Sequence, residues 1–175
     1  MLAGIQSELD RVIAALDVFY ARETLLLERD VGERALTHRL AVHLEGEFRG
    51  WDVDCDYNRL GERRLLLPKG TIVSTDDDIG KSVYPDIVIH RRTVPENLLA
   101  IETRKVANYS ALEHDRHKLR AMTDPHLWFA YGIGLLLILG RKRIASAEVY
   151  VGGEISRSSS EWFAGRLSDA GLFGL

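Results

Sequence analysis

The chain has one cysteine, Cys55, in 175 residues, which excludes an internal disulfide and leaves any zinc site short of thiolate ligands. Long apolar runs are missing as well. The longest, Ile133 to Leu139 within GIGLLLILG, falls far short of the roughly 20 residues a membrane helix needs and reads as a buried strand. No basic N-terminal segment precedes an apolar run and a small-residue cleavage site, so the expected location is the cytoplasm and no membrane partner is expected. Positive charge is not in surplus. With 23 Lys and Arg against 26 Asp and Glu the formal net charge is -3, so nucleic acid could be held only by local patches. Internal repeats are absent, and the one biased stretch is the short polar segment Ser156 to Ser160.

What is present is an ordinary globular composition, 46% hydrophobic and 28% charged, in a length that suits one buried core. The pattern divides into an N-terminal amphipathic helix (1–30) and an α/β domain (31–175). Ile5, Leu9, Val12, Ile13, Leu16, Phe19 and Tyr20 recur at helical spacing, which predicts a helix over about 3–29. A second helix is expected to open at Asp30, where Asp30 and Glu33 have capping-box spacing, and to turn Leu36, Leu40, Leu44 and Phe48 inward together with Glu33. Gly50 ends it. In WDVDCDYN, Trp51, Val53, Cys55 and Tyr57 alternate with Asp52, Asp54, Asp56 and Asn58, the period of a half-buried strand. Residues 59–83 read as loop, including the acidic run Asp76 to Asp78, with a short strand at Leu65 to Leu67. PDIVIHRR and NLLAIETRKV, joined by TVPEN, predict a hairpin. A helix over about 110–123 then leads to GLLLILG in the proportions of a right-handed βαβ crossover. The strand SAEVYVGG and a helix near 159–169 complete a mixed sheet flanked by helices.

Alternation puts Asp86, Val88 and His90 on one strand face, and Leu98, Ala100, Glu102 and Arg104 on one face of the next. If these strands pair, two carboxylates and a cation converge. Neighbouring carboxylates repel and are costly to desolvate, and a hard divalent ion such as Mg²⁺ or Mn²⁺ removes that cost. Such an ion can polarise a phosphodiester and activate water.

The segments ERALTHRLAVHLEGEF, WDVDCDYNRLG, YPDIVIHRR, NLLAIETRK and HDRHKLRAMTD resemble an uncharacterised bacterial branch of the PD-(D/E)xK nuclease superfamily, over about 31–140. The resemblance implies a restriction-endonuclease-like core, a mixed β-sheet flanked by helices with an N-terminal helical extension, and metal-dependent hydrolysis of DNA. It implies that Asp86, Glu102 and the carbonyl of Thr103 bind the metal and that Glu33 supports the site. Arg104 stands where the family has a catalytic lysine. Arginine stays protonated and cannot act as a general base, but it can hold a phosphate. Lys105 should point to the opposite face, and Lys118 on the following helix is another candidate cation. Asp56 stands where relatives carry glutamate.

Plainer readings compete with each assignment. Glu33 could simply cap its helix, Asp86 could be a turn residue beside Pro85, and Glu102 could pair with Arg104 or another arginine. His38, His43, His90, His114 and His117 match no zinc spacing, and Asp76 to Asp78 does not complete a calcium loop. Arg91 with Arg92, Lys105, Lys118 with Arg116 and Arg120, and Arg141 to Arg143 could line a phosphate track or could be solvated faces. Trp51, Trp128 and Trp162 read as packing residues. A nuclease-fold module without catalysis, binding nucleic acid or protein, stays open beside the nuclease reading. A homodimer built on the first helix is a further alternative.

Overall fold

The computed structural model describes residues 2–57, 59–60, 63–64, 84–107 and 112–174. In chain order the elements are α1 (Leu2–Arg22), α2 (Thr24–Glu28), α3 (Glu33–Glu47), β1 (Asp52–Cys55), β2 (Arg59–Leu60), β3 (Arg63–Arg64), β4 (Ile87–Arg91), β5 (Glu96–Lys105), α4 (Leu112–Thr123), β6 (Ile133–Leu139), β7 (Ile144–Val151), β8 (Glu154–Ile155) and α5 (Arg157–Asp169). β2 and β3 form a separate two-stranded ladder. The expected strand at Leu65 to Leu67 and the acidic run at 76–78 lie outside the described residues.

The main sheet has the order β1-β4-β5-β6-β7-β8. Its one parallel pair, β5 with β6, is joined through α4, as the βαβ proportions predict. Every other neighbouring pair is antiparallel, and the tight β4–β5 hairpin falls where TVPEN places it. Both faces of the sheet are covered. Ile87, Ile89, Leu99, Ile101, Leu135 and Leu137 face a core shared with α1, α3 and α5. Val88, Ala100, Leu136 and Ile138 face a second, smaller core under α4 with Leu119, Met122 and Phe129. β6 is buried along its whole length, which is why its sequence is continuous rather than alternating.

Several boundaries differ from expectation. The first helix is two, because Glu23 turns inward and interrupts it. The Glu23 carboxylate accepts Arg39 Nε and His43 Nε2, each at 2.9 Å, and a buried anion so partnered outweighs helix continuity. The apolar stripe of α1 is consumed within the chain, since Leu9, Val12, Leu16 and Phe19 are fully buried in the same core as the sheet. α3 begins at Glu33, not Asp30, and its N-cap is Gly32 with no side-chain cap. Asp30 is left-handed (φ 53°) and closes the preceding turn, so the capping box does not form. The β1 alternation ends early because Asp56 is also left-handed (φ 51°). Cys55 is therefore exposed, and Tyr57 crosses to the α4 side, its ring 4.5 Å from that of His90. Trp51 and Trp162 pack on the larger core, but Trp128 is 70% exposed.

Candidate functional site

The β4–β5 register sets Ile87 opposite Ile101, which brings Asp86 and Glu102 to the same stretch of the sheet. Asp86 precedes the first residue of β4, so alternation does not govern its direction. Its Oδ2 accepts the Thr103 amide at 2.8 Å and the Thr103 hydroxyl at 3.0 Å. That hydroxyl lies 2.8 Å from Thr37 Oγ1 on α3. Asp86 is thereby drawn toward α3, where it lines a cleft of about 490 Å³ with Glu33, Arg34, Thr37, His38 and Asp56. Glu102 does follow alternation and faces α4, fully buried. The expectation of one shared face thus fails for Asp86, because the two Thr103 donors turn it.

Glu102 is paired with neither Arg104 nor another arginine. Lys118, one turn beyond Asp115 on α4, places Nζ 2.6 Å from Glu102 Oε2. The other oxygen, Oε1, is buried and has no hydrogen-bond partner among the described residues. Arg104 instead forks onto Asp115, with Nε to Oδ2 at 2.5 Å and Nη2 to Oδ1 at 2.9 Å, and donates Nη1 to Glu33 Oε2 at 3.2 Å. Glu33 Oε1 accepts the Lys105 amide at 2.9 Å. Glu33 therefore reaches across to β5 instead of capping its own helix. The expected phosphate contact of Arg104 gives way to a brace between two carboxylates.

The resulting chain runs Glu33, Arg104, Asp115, Lys118, Glu102, with Asp86 alongside. Among the described residues, four carboxylates face two cations in a mostly buried space. Burial leads the proton affinities and the neighbouring charges modify them. Burial pushes the Glu102 carboxyl well above its usual range, Lys118 opposes this only in part, and Asp86 and Asp115 add to it. Burial raises Asp86 too, against the Thr103 amide and Lys118. For Lys118 burial works downward and is the largest single influence, but the charge and hydrogen bond of Glu102 together with the charges of Asp115 and Asp86 outweigh it, so the ammonium holds its proton more tightly. The carboxyls rise because burial outweighs their cations, and the ammonium rises because the surrounding carboxylates together outweigh its burial.

The remaining cations expected to hold nucleic acid lie elsewhere or are engaged. Arg91 and Arg92 sit at the far end of β4 from Asp86, about 17 Å away for a five-residue strand. Arg91 pairs with Glu96 at 2.8 Å and lies over the Trp51 ring, and Arg92 forks onto Asp54. Lys105 points to the opposite face, as alternation requires, and its ammonium meets Asp30 at 2.5 Å and the Val31 carbonyl at 3.1 Å. Lys118 belongs to the buried cluster and not to a surface track.

Asp115 was not singled out by the sequence, yet it is fully buried and holds both cations. The signal exists in retrospect. Leu112, Asp115, Leu119 and Met122 form the inward stripe of α4, and an acid in such a stripe requires buried partners.

Among the described residues no three His, Cys, Asp or Glu side chains converge as a ready-made metal cage. Mg²⁺ does not need one, since it retains water and takes one or two carboxylates. The orphaned Oε1 of Glu102 and the local excess of negative charge fit a hard divalent ion with Asp86, Glu102 and the Thr103 carbonyl as oxygen donors. No protein-family model matches the sequence, and no curated protein matches it.

Proposed function

We propose that the chain is a metal-dependent nuclease of the PD-(D/E)xK type that hydrolyses phosphodiester bonds in DNA. The observation that carries this is the buried Lys118–Glu102 contact beside Asp86, in which α4 supplies the lysine that β5 lacks at position 104. Mg²⁺ or Mn²⁺ held by Asp86, Glu102 and the Thr103 carbonyl would polarise the scissile phosphate and lower the pKa of bound water. The chain's own groups do the rest. Lys118 keeps its proton and offers a positive charge where negative charge develops on phosphate oxygens. Asp115 orients Lys118 and Arg104, and Arg104 with Glu33 ties α3 to the end of β5. Thr103 fixes Asp86 at the cleft through which a phosphate and water can approach.

The test is cleavage of plasmid and linear DNA with Mg²⁺ or Mn²⁺ by wild type, Asp86→Ala and Glu102→Ala. Wild type should cleave and both variants should not. Equal cleavage by all three rejects the assignment. A module that binds without catalysis is favoured by one observation, that Arg104 and Lys118 already engage the carboxylates. Calorimetric titration with Mn²⁺ separates the two readings, since heat that disappears in Asp86→Ala belongs to the nuclease.

A further inference from the structure

Most cations of this surface are spoken for. Arg11, Arg34, Arg39, Arg91, Arg92, Arg116, Arg120 and Arg166 each have an acidic partner. The β6–β7 turn is different. Arg141, Lys142 and Arg143 are consecutive and exposed, and among the described residues their side chains make no hydrogen bond or ion pair. The turn itself is fixed. The Gly140 amide donates to the Arg143 carbonyl at 3.0 Å, and a side chain at 140 would come within 2.6 Å of that oxygen, so the tight geometry requires glycine. Tyr20 also donates to the Gly140 carbonyl at 3.3 Å. Three cations are thus presented by a turn anchored to α1, and the one acid among the described residues that lines the hollow beneath them, Asp30, already pairs with Lys105 at 2.5 Å while it also attracts Arg141.

A hollow of about 550 Å³ lies under them, with an apolar floor of Leu27, Leu36, Val106 and Leu139. Its place in the fold matters. Lys105 pairs with Leu139, so this hollow opens at the ends of the central strands, three residues along β5 from Glu102, about 10 Å at the usual strand rise. A polyanion seated at the carboxylates can reach the turn.

We propose that this turn and hollow hold the flanking strand of the substrate, phosphates on Arg141, Lys142 and Arg143 and an unstacked base on the apolar floor. The protein would then select nucleic acid with unpaired nucleotides over continuous duplex. Charge complementarity specifies the phosphates, and a concave apolar floor suits a base face that a closed duplex keeps stacked. The inference rests on the nuclease reading for its substrate, and it replaces the Arg91 and Arg92 track, whose cations are paired and distant.

The experiment is fluorescence anisotropy with a labelled single-stranded oligonucleotide and its duplex of equal length, with Ca²⁺ replacing Mg²⁺. Wild type is compared with the triple variant Arg141→Glu, Lys142→Glu, Arg143→Glu and with Ala145→Leu, which narrows the hollow. The triple variant should bind the single strand at least about tenfold more weakly, and its salt slope should fall by about two units, the release of three phosphates at roughly 0.7 each. Ala145→Leu should reduce the preference for single strand and leave duplex binding unchanged. Circular dichroism and Mn²⁺ calorimetry on each variant check the fold and the carboxylate site separately. Unchanged single-strand affinity in the triple variant, or equal affinity of wild type for both substrates, overturns the proposal even where Mn²⁺ binds and cleavage proceeds. Binding that depends on the turn without cleavage or Mn²⁺ heat sustains it and rejects the nuclease reading instead.

Discussion

Two charged clusters lie at opposite ends of β4, and they behave oppositely. At the hairpin end, Asp54 accepts Arg92 Nε at 2.8 Å and lies 2.9 Å from His90 Nε2, while Asp52 accepts the Arg92 amide. Each acid there has a partner. Burial pushes the Asp54 carboxyl up, but Arg92 and His90 together hold it below the usual range. At the other end, among the described residues, the acids outnumber the bases and an oxygen of Glu102 has no partner, and Asp86 and Glu102 both shift upward. A partnered cluster is complete as it stands and ties β1 to β4. The unbalanced one holds more negative charge than its own cations neutralise, a pattern that belongs to binding sites more than to scaffolds.

The largest effect that could break this comparison is expected at Lys118. Lys118→Met strands the Glu102 carboxylate in the core and should cost about 3–5 kcal/mol in urea unfolding at neutral pH. Adding Glu102→Gln to that variant should restore most of the loss. A Lys118→Met protein as stable as wild type would mean that the pair is not buried and bonded as described.

A pH series sharpens the contrast by sign. Glu102 and Asp86 have folded values above their unfolded ones, so the folded chain keeps protons that the unfolded chain has released. Their contribution is present near pH 4, about the ordinary carboxylate value, and is lost as pH rises through the raised range. Asp54 runs the other way, its contribution present at neutral pH and lost as pH falls through the depressed value. Thermal melts in chelator should therefore show Glu102→Gln gaining on wild type as pH rises, and Asp54→Asn gaining on wild type as pH falls. Mn²⁺ should raise the wild-type Tm at high pH and leave that of Glu102→Gln unmoved. Parallel pH profiles for wild type and both variants would erase the distinction between the clusters.

The smallest effect is expected at Arg92, whose side chain is 53% exposed. Arg92→Ala should change stability by less than about 1 kcal/mol and leave Mn²⁺ binding untouched. A loss of metal binding on this substitution would show that the two ends of β4 act as one site.

The elements read correctly from sequence are those whose neighbours are local. The β4–β5 hairpin follows from two β-rich runs and a short turn, and the buried character of β6 from its unbroken apolar residues. Elements whose limits depend on a buried charge were misplaced. Glu23 breaks the first helix because Arg39 and His43 reach it from α3, and Glu33 serves β5 instead of Asp30. Within the candidate site, Glu102 stood out as an acid inside an apolar strand. Lys118 stood out as a candidate cation, but its pairing with Glu102 did not, since Lys118 is 16 residues away and meets it only when α4 crosses over β5.

Taken alone, the amino-acid order determined the mixed sheet with flanking helices, the β4–β5 pairing and the inward face that carries Glu102 and Arg104, because periodicity and turn chemistry act over a few residues. Only the tertiary structure decided that Asp86 turns to Thr103, that Arg104 is a brace held by Asp115 and Glu33, and that the three consecutive cations at 141–143 stay without an ion pair among the described residues. Charges choose partners by distance in space through a medium that screens poorly, and that distance exists only after the helices have packed on the sheet.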